Sequence, residues 1–433
     1  MTVVTQVAEG KNMEEQHTIP VRLKKQDAWI ASVDMEAFRA DVRAVGERLK
    51  KGQGAEDVAH LERIIFYSNA FTLAGFILAG VVPWYFFGAA ALLSVGITSR
   101  WTMVAHHVCH GGYQKCDKTG RYNRFKFALG SVWRRAIDWF DWMLPEAWNV
   151  EHNHLHHYCL GEDTDPDLVE RNLDIIRESG LPVVVKYLVI AFFMATWKWS
   201  YYAPNTFKEL RVKEMRKSDP KVLEKTTEEY VKEHGYDFTA YPLVAYSFWT
   251  YPLPAWLSGW DFLVRVVGPY FIYRFVLFPV PWLALGFLAR PEDPMCFYKV
   301  AVTNCLFADV LTNIHSFIII ATNHAGSDLY KFSTKCHPAS ATFYLRQIIS
   351  SANFAAGSDA VDFMHGWLNY QVEHHLFPDL SMLSYRRAMP EIKEICARHN
   401  IPYIQESVFV RLKKTIDIMT GAASMRPFPT DVN

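Results

Sequence analysis

The sequence predicts an all-α integral membrane protein, with four transmembrane helices in two hairpins and a large cytosolic helical part. Three observations point there. Half of the 433 residues are hydrophobic and 15% are aromatic, and the apolar residues are bunched into long runs. Lys+Arg and Asp+Glu balance at 45 each, so no bulk charge directs the chain to nucleic acid. The 17 histidines include four tight clusters that fall beside the apolar runs. The seven cysteines are scattered and form no CxxC, a usage that disfavours a disulfide framework and fits a reducing compartment.

Taken in order, the opening MTVVTQVAEGKNMEEQHTIP has no apolar signal core and is too acidic for a typical transit peptide. A helical pattern over 35–51 stops at KGQG. The run IIFYSNAFTLAGFILAGVV (64–82) approaches the roughly 20 apolar residues that a bilayer-crossing helix needs. WYFFGAAALLSVGIT (84–98) follows Pro83 as a second span running on towards His106. The stretch 125–145 mixes Arg, Asp and Trp and reads as interfacial, while 181–199, carrying Lys186 and Lys198, suits a span, a re-entrant piece or an interfacial helix. A Pro-interrupted span (264–289) turns at RPEDPM and returns through 297–324. The two hairpin tips hold one basic residue, Arg290, so positive charge puts both termini and 107–263 in the cytosol. The expected organisation is a cytosolic N-terminal segment (1–61), a membrane unit (62–412) and a C-terminal tail (413–433).

The histidine clusters carry the chemistry. They are HHVCH (106–110), HNHLHH (152–157), NH (323–324) and QVEHH (371–375). His106 and His110 are spaced i,i+4, as are His152 and His156, so each pair shares a helix face about 5–6 Å apart. His157, His374 and His375 join them, and under this topology every cluster falls at one membrane surface. Imidazole suits Zn, Cu, Fe and Ni alike. A single zinc takes three or four protein ligands, so eight well-placed histidines (106, 110, 152, 156, 157, 324, 374, 375) suit two metal ions with open positions. His107 and His154 fall off the ligand-bearing faces and are expected to orient ligands. His315 is out of phase with His324, a packed polar residue or tunnel group. Single histidines such as His17, His60, His234, His337 and His399 are read as surface or core. Asn304, Asp309 and Asn313, polar groups within the last span, are candidates for a substrate tunnel or for helix contacts.

HxxxH (His106, His110), HxxxHH (His152, His156, His157) and QxxHH (Gln371, His374, His375) resemble the three histidine boxes of membrane fatty acid desaturases. HGWLNYQVEHHLFPDL (365–380) is similar to the third box of the acyl-lipid and front-end type. The resemblance covers roughly 62–412. It implies four transmembrane helices under a cytosolic cap holding two irons, with His324 at the place of a further ligand and Gln371 beside the metals. It implies dioxygen as co-substrate and a fatty acyl lipid or acyl-CoA as substrate. No cytochrome b5 heme motif or nicotinamide fingerprint is present, so the resemblance implies electrons from a separate cytochrome b5 or ferredoxin. The basic run 208–225 is the expected dock for such an acidic donor. The first box begins HH where front-end enzymes commonly have His-Asp, and the second carries an extra His154. A lipid hydroxylase would use the same boxes. A histidine-rich metal carrier is the reading from another class, but it needs ligands along a path through the bilayer. The expected membrane is the endoplasmic reticulum or the bacterial inner membrane.

Overall fold

The protein is described by a computed structural model over residues 23–245, 247–250 and 252–429; His17 lies outside these. Its described part is predominantly helical. Strand is confined to two short parallel pairings, Tyr330–Lys331 with Arg426–Pro427 and Asn353–Phe354 with Gln405–Glu406.

Helix α1 (Met35–Gly52) starts where Asp34 accepts a hydrogen bond from the Ala37 amide, and it buries Phe38, Val42, Val45 and Leu49 along one stripe. Helix α2 (Ala55–Ala79) and helix α3 (Gly88–Thr98, continuing through Ser99–Ala105 to His106–His110) lie antiparallel. Gly75 of α2 closes onto the Leu93 backbone, and Gly96 of α3 onto Thr72. Only a missing side chain permits that approach. Ser68 Oγ donates to the Gly96 carbonyl across the same seam.

Four helices are long and apolar enough to cross a membrane: Ala55–Ala79, Val183–Ser218, Gly259–Ala289 and Cys296–Asn323. Three coincide with expected spans. The fourth is the ambiguous 181–199 stretch, extended to Ser218, whereas the expected span 84–98 is not among them. The reason lies in its surroundings. Ala89, Ala90, Leu93 and Ile97 of α3 are fully buried, so this helix is packed inside protein by α2 and the 296–323 helix and needs no long apolar coat. The outward faces of the long helices are apolar and bare: Leu73 and Ile77, Leu188 and Phe192, Phe287 and Leu288. Water would not tolerate so large a continuous apolar surface.

Helix α4 runs from Pro145–Glu151 through His152–His156 to His157–Cys159 and packs against the second half of α5 (Val183–Ser218). Helices α6 (Gly259–Ala289) and α7 (Cys296–Ile320) complete the apolar set. Beyond them α8 (Ala341–Ile349), α9 (Gln371–Leu376), α10 (Met382–Arg398) and α11 (Val408–Thr420) pack on one another, on α1 and on α5. Residue 412 therefore falls inside a helix, and Arg426 and Pro427 pair back onto Tyr330 and Lys331.

The polar groups of α7 serve helix contacts. Asn304 Nδ2 donates to the carbonyls of Ala79 and Val82, and Asp309 accepts from Trp142 Nε1 and the Tyr270 hydroxyl. Asn313 Oδ1 accepts the Lys198 amide. None of the three lines the apolar cavity beside the histidines, so of the two roles expected for them the helix contact is the one observed.

Candidate metal centre

Two ligand-bearing helices depart from α geometry just before the first histidine cluster and through the second. Over Ser99–Ala105 and over His152–His156 the backbone takes up i→i+5 bonding. Such widened turns are rare and concentrate at functional sites. In an α-helix His157 would point about 140° away from His152. The widened turn lets residues four and five apart bracket one direction, so His156 and His157 both reach inward. Gly111, at a φ of 93°, ends α3 immediately after His110 in the left-handed conformation that glycine tolerates best.

Two groups of side chains result. His106, His110, His152, His157 and His374 form one, and His156, His324 and His375 the other; within each, the nitrogens lie within 4.8 Å of one another. All eight are buried. His152 Nε2 stands 3.1 Å from His106 Nε2 and 3.2 Å from His157 Nε2, and His375 Nε2 stands 3.2 Å from His324 Nε2. Two imidazole nitrogens each about 2.1 Å from a shared cation would be about 3.0–3.4 Å apart. Gln371 stands beside the second group, its amide nitrogen 2.8 Å from His324 Nε2. The other two residues expected beside the ligands behave differently. His107 is fully buried against His106 and His374, its Nδ1 on the Met103 carbonyl at 2.8 Å. His154 faces outward, with Nδ1 on the Asn149 carbonyl at 2.6 Å.

In four of the eight histidines the inward nitrogen is aimed by what holds the opposite one. His156 Nδ1 donates to Asp165 at 2.9 Å, His375 Nδ1 to Gln347 Oε1 at 3.2 Å, and His324 Nδ1 to the Ser350 carbonyl at 3.3 Å. His374 Nδ1 meets the Tyr385 hydroxyl at 3.3 Å, and Trp148 stacks on His152 at 4.5 Å. Asp165, Gln347 and Tyr385 escaped the sequence reading. Asp165 had a local signal, the acidic run EDTDPD just after the second box; Gln347 and Tyr385 are brought in by the flanking helices α8 and α10 and had none.

Burial holds His152, His157, His374 and His375 well below the usual imidazole range, reinforced by their crowding together. They are therefore neutral, with lone pairs free for a cation. His156 is the exception: burial lowers it, but the Asp165 carboxylate outweighs burial and raises it. His110 Nε2 and His374 Nε2 have no hydrogen-bond partner among the described residues. Buried polar atoms are rarely left so. A nitrogen-rich donor set of this kind fits a pair of divalent transition metals.

Against both groups lies an apolar cavity. His106, His152, His156 and His324 form its polar wall, and Trp101, Trp197, Tyr202 and Phe317 its aromatic lining. An elongated apolar ligand could lie there with one stretch beside the histidines.

A family model described as fatty acid desaturase matches residues 82–407. The chain belongs to the fatty acid desaturase family. Within it, the chain is similar to an NADPH-dependent stearoyl-CoA 9-desaturase of Mycobacterium tuberculosis, 24% identical over 401 residues, which span 90% of this chain and 80% of that one. It is equally similar to Delta(8)-fatty-acid desaturase 1 of Arabidopsis thaliana, 24% identical over 401 residues, covering 88% of this chain and 74% of the other. Delta(5) fatty acid desaturase A of Dictyostelium discoideum is 28% identical over 153 residues, 34% of this chain and 30% of its own. No solved structure matches. Family membership makes the chain an oxidoreductase of the desaturase type, and the histidine groups are where such a desaturase could hold metal.

Proposed function

We propose that this desaturase is an O2-dependent membrane enzyme that introduces a double bond into the acyl chain of a lipid or thioester. Two irons would be held by His106, His110, His152, His157 and His374 on one side and His156, His324 and His375 on the other, with Gln371 beside His324 and outside the ligand set. The observation that carries this reading is the pairing of those two buried histidine groups with an apolar cavity that they share. An unactivated methylene has no acidic proton and no leaving group, so acid–base or nucleophilic side chains cannot attack it. When bound, a metal pair would supply the missing oxidising power, drawing on dioxygen and external electrons.

The rest is the work of this chain's residues. Trp101, Trp197, Tyr202 and Phe317 would hold the acyl chain and exclude water, bringing one carbon–carbon bond beside the histidines. Asp165, Gln347 and the Ser350 carbonyl hold the imidazoles of the smaller set in fixed tautomers. His107, hydrogen-bonded to Met103, keeps its ring against His106 and His374. In this reading the catalytic unit spans 62–412 and is followed by the tail 413–433, of which Arg426 pairs onto Tyr330, and the site faces the cytosol of the endoplasmic reticulum or of a bacterial inner membrane. Electrons come from a separate cytochrome b5 or ferredoxin. The concentration of all eight histidines in one buried spot argues against a carrier, which would spread its ligands along a path.

The test is a fatty-acid profile by gas chromatography–mass spectrometry, comparing hosts expressing the chain or its His156→Ala variant and fed saturated and unsaturated acids. The expected result is a new olefin absent from the variant, with two irons per wild-type chain. A new hydroxy acid would instead make the enzyme a hydroxylase.

A further inference from the structure

Helix α4 presents two different faces. Trp148, His152 and His156 line the apolar cavity. Asn149, Val150 and His154 line a separate surface groove together with Arg124, Lys213 and Lys217. The two share no lining residue, so α4 is a wall between them.

The groove is basic. Its carboxylates are Glu146, which takes the Gly130 amide, and Glu214, already paired with Arg211 and Arg265. Arg124, Lys213 and Lys217 have no ion-pair partner among the described residues, and Phe125 stands 71% exposed beside them under the Arg124 guanidinium. Of the basic run 208–225, Lys208 is buried against Glu209 and the Tyr241 carbonyl, so Lys213 and Lys217 are the members that reach this face. From the groove to the histidine groups the path is short and hydrogen-bonded. Asn153 Nδ2 donates to Asn149 Oδ1 at 2.6 Å and to the Cys109 carbonyl at 3.2 Å, between His106 and His110. Arg124 Nη1 donates to the His110 carbonyl at 3.4 Å.

We infer that this groove is the docking surface of an acidic one-electron carrier protein, so that electrons enter through one face of α4 while the acyl chain lies on the other. The inference rests on the desaturase reading above. Each turnover would oxidise two carrier molecules, one electron each. With two protons from solvent and two hydrogens from the acyl chain, one dioxygen becomes two waters and the chain becomes an olefin. Charges on such a rim act mainly on the association rate and its salt dependence.

The experiment uses the full-length, iron-loaded protein in nanodiscs, wild type and Lys213→Glu/Lys217→Glu. Pre-reduced soluble cytochrome b5 domain and plant-type ferredoxin are mixed with each anaerobically, and oxidation of the carrier is followed by stopped flow at low and high salt. Photoreduction by a small deazaflavin serves as the control that needs no docking. The expected result is a carrier rate at least about tenfold slower in the variant at low salt, a difference that collapses in high salt, with deazaflavin reduction equal in both. Equal carrier rates in wild type and variant would overturn the proposal and leave the desaturase reading standing, as would failure of both carriers with deazaflavin still effective. If neither carriers nor deazaflavin reduce the protein, the redox reading itself falls. If anionic lipid is retained by the wild type alone while carrier rates are equal, the groove belongs to lipid headgroups.

Discussion

An imidazole has two nitrogens, and the one offered to a metal is chosen by whatever holds the other. In this desaturase Asp165 holds His156, so Asp165→Asn should weaken metal binding in the smaller group by about 10–100-fold while leaving the larger group loaded. Iron per chain after dialysis against a chelator should fall towards half; retention of both irons would show that the carboxylate does no such work. Protonation gives a second prediction. His152, His157, His374 and His375 are depressed by burial, and His324 is lowered by burial to about 3. Below their ordinary value of 6.5 the unfolded chain takes up protons that the folded, metal-free chain refuses, so stability falls as pH drops through that value. Burial raises Glu373 to about 7 and Asp167 to about 6, and also raises Glu151; these and His156, raised by Asp165, pull the other way, but the five lowered histidines outnumber these four. The chelated protein should therefore unfold at a lower temperature at pH 5.5 than at pH 8, and equal unfolding temperatures would refute the account.

Helices deliver these side chains, and their irregularities matter as much as their regular parts. The i,i+4 histidine pairs were legible in the sequence because helical spacing is periodic. The widened turn over His152–His156 was not, since i→i+5 bonding has no simple residue signature, and it is what turns His157 inward. The α2–α3 seam is similar: a run of small residues could be read, but not which of them meets backbone. A Cβ on Gly96 would lie 2.2 Å from Thr72 Oγ1 and 3.0 Å from the Thr72 amide. Gly96→Leu should therefore force α2 from α3 and cost about 1–3 kcal/mol, seen as a lowered unfolding temperature in detergent. An unchanged value would mean the seam is looser than its geometry.

Across the molecule, the apolar helices and the histidine groups are tied together by buried charge. Lys198 on α5 pairs with Asp141 on the segment before α4, both almost fully buried, and lies over the Trp101 ring at 5.2 Å. Removing one partner strands the other, so Lys198→Met should cost about 3–5 kcal/mol, and the double variant Lys198→Met/Asp141→Leu should recover much of it. Unfolding of all three proteins checks this, and a double variant no better than the single would exclude it. The chain's own sequence determined its helical and apolar character, its family and the histidines worth watching, because hydrophobic runs and helical spacing are local properties. Only the tertiary structure decided that α3 is wrapped in protein while 183–218 carries the bare apolar face, and that eight histidines divide five and three. It alone brought Gln347 and Tyr385 to them and put cavity and groove on opposite faces of α4. Those outcomes depend on contacts between separate elements, and no periodicity along the chain encodes which side chain of another element will fill a given space.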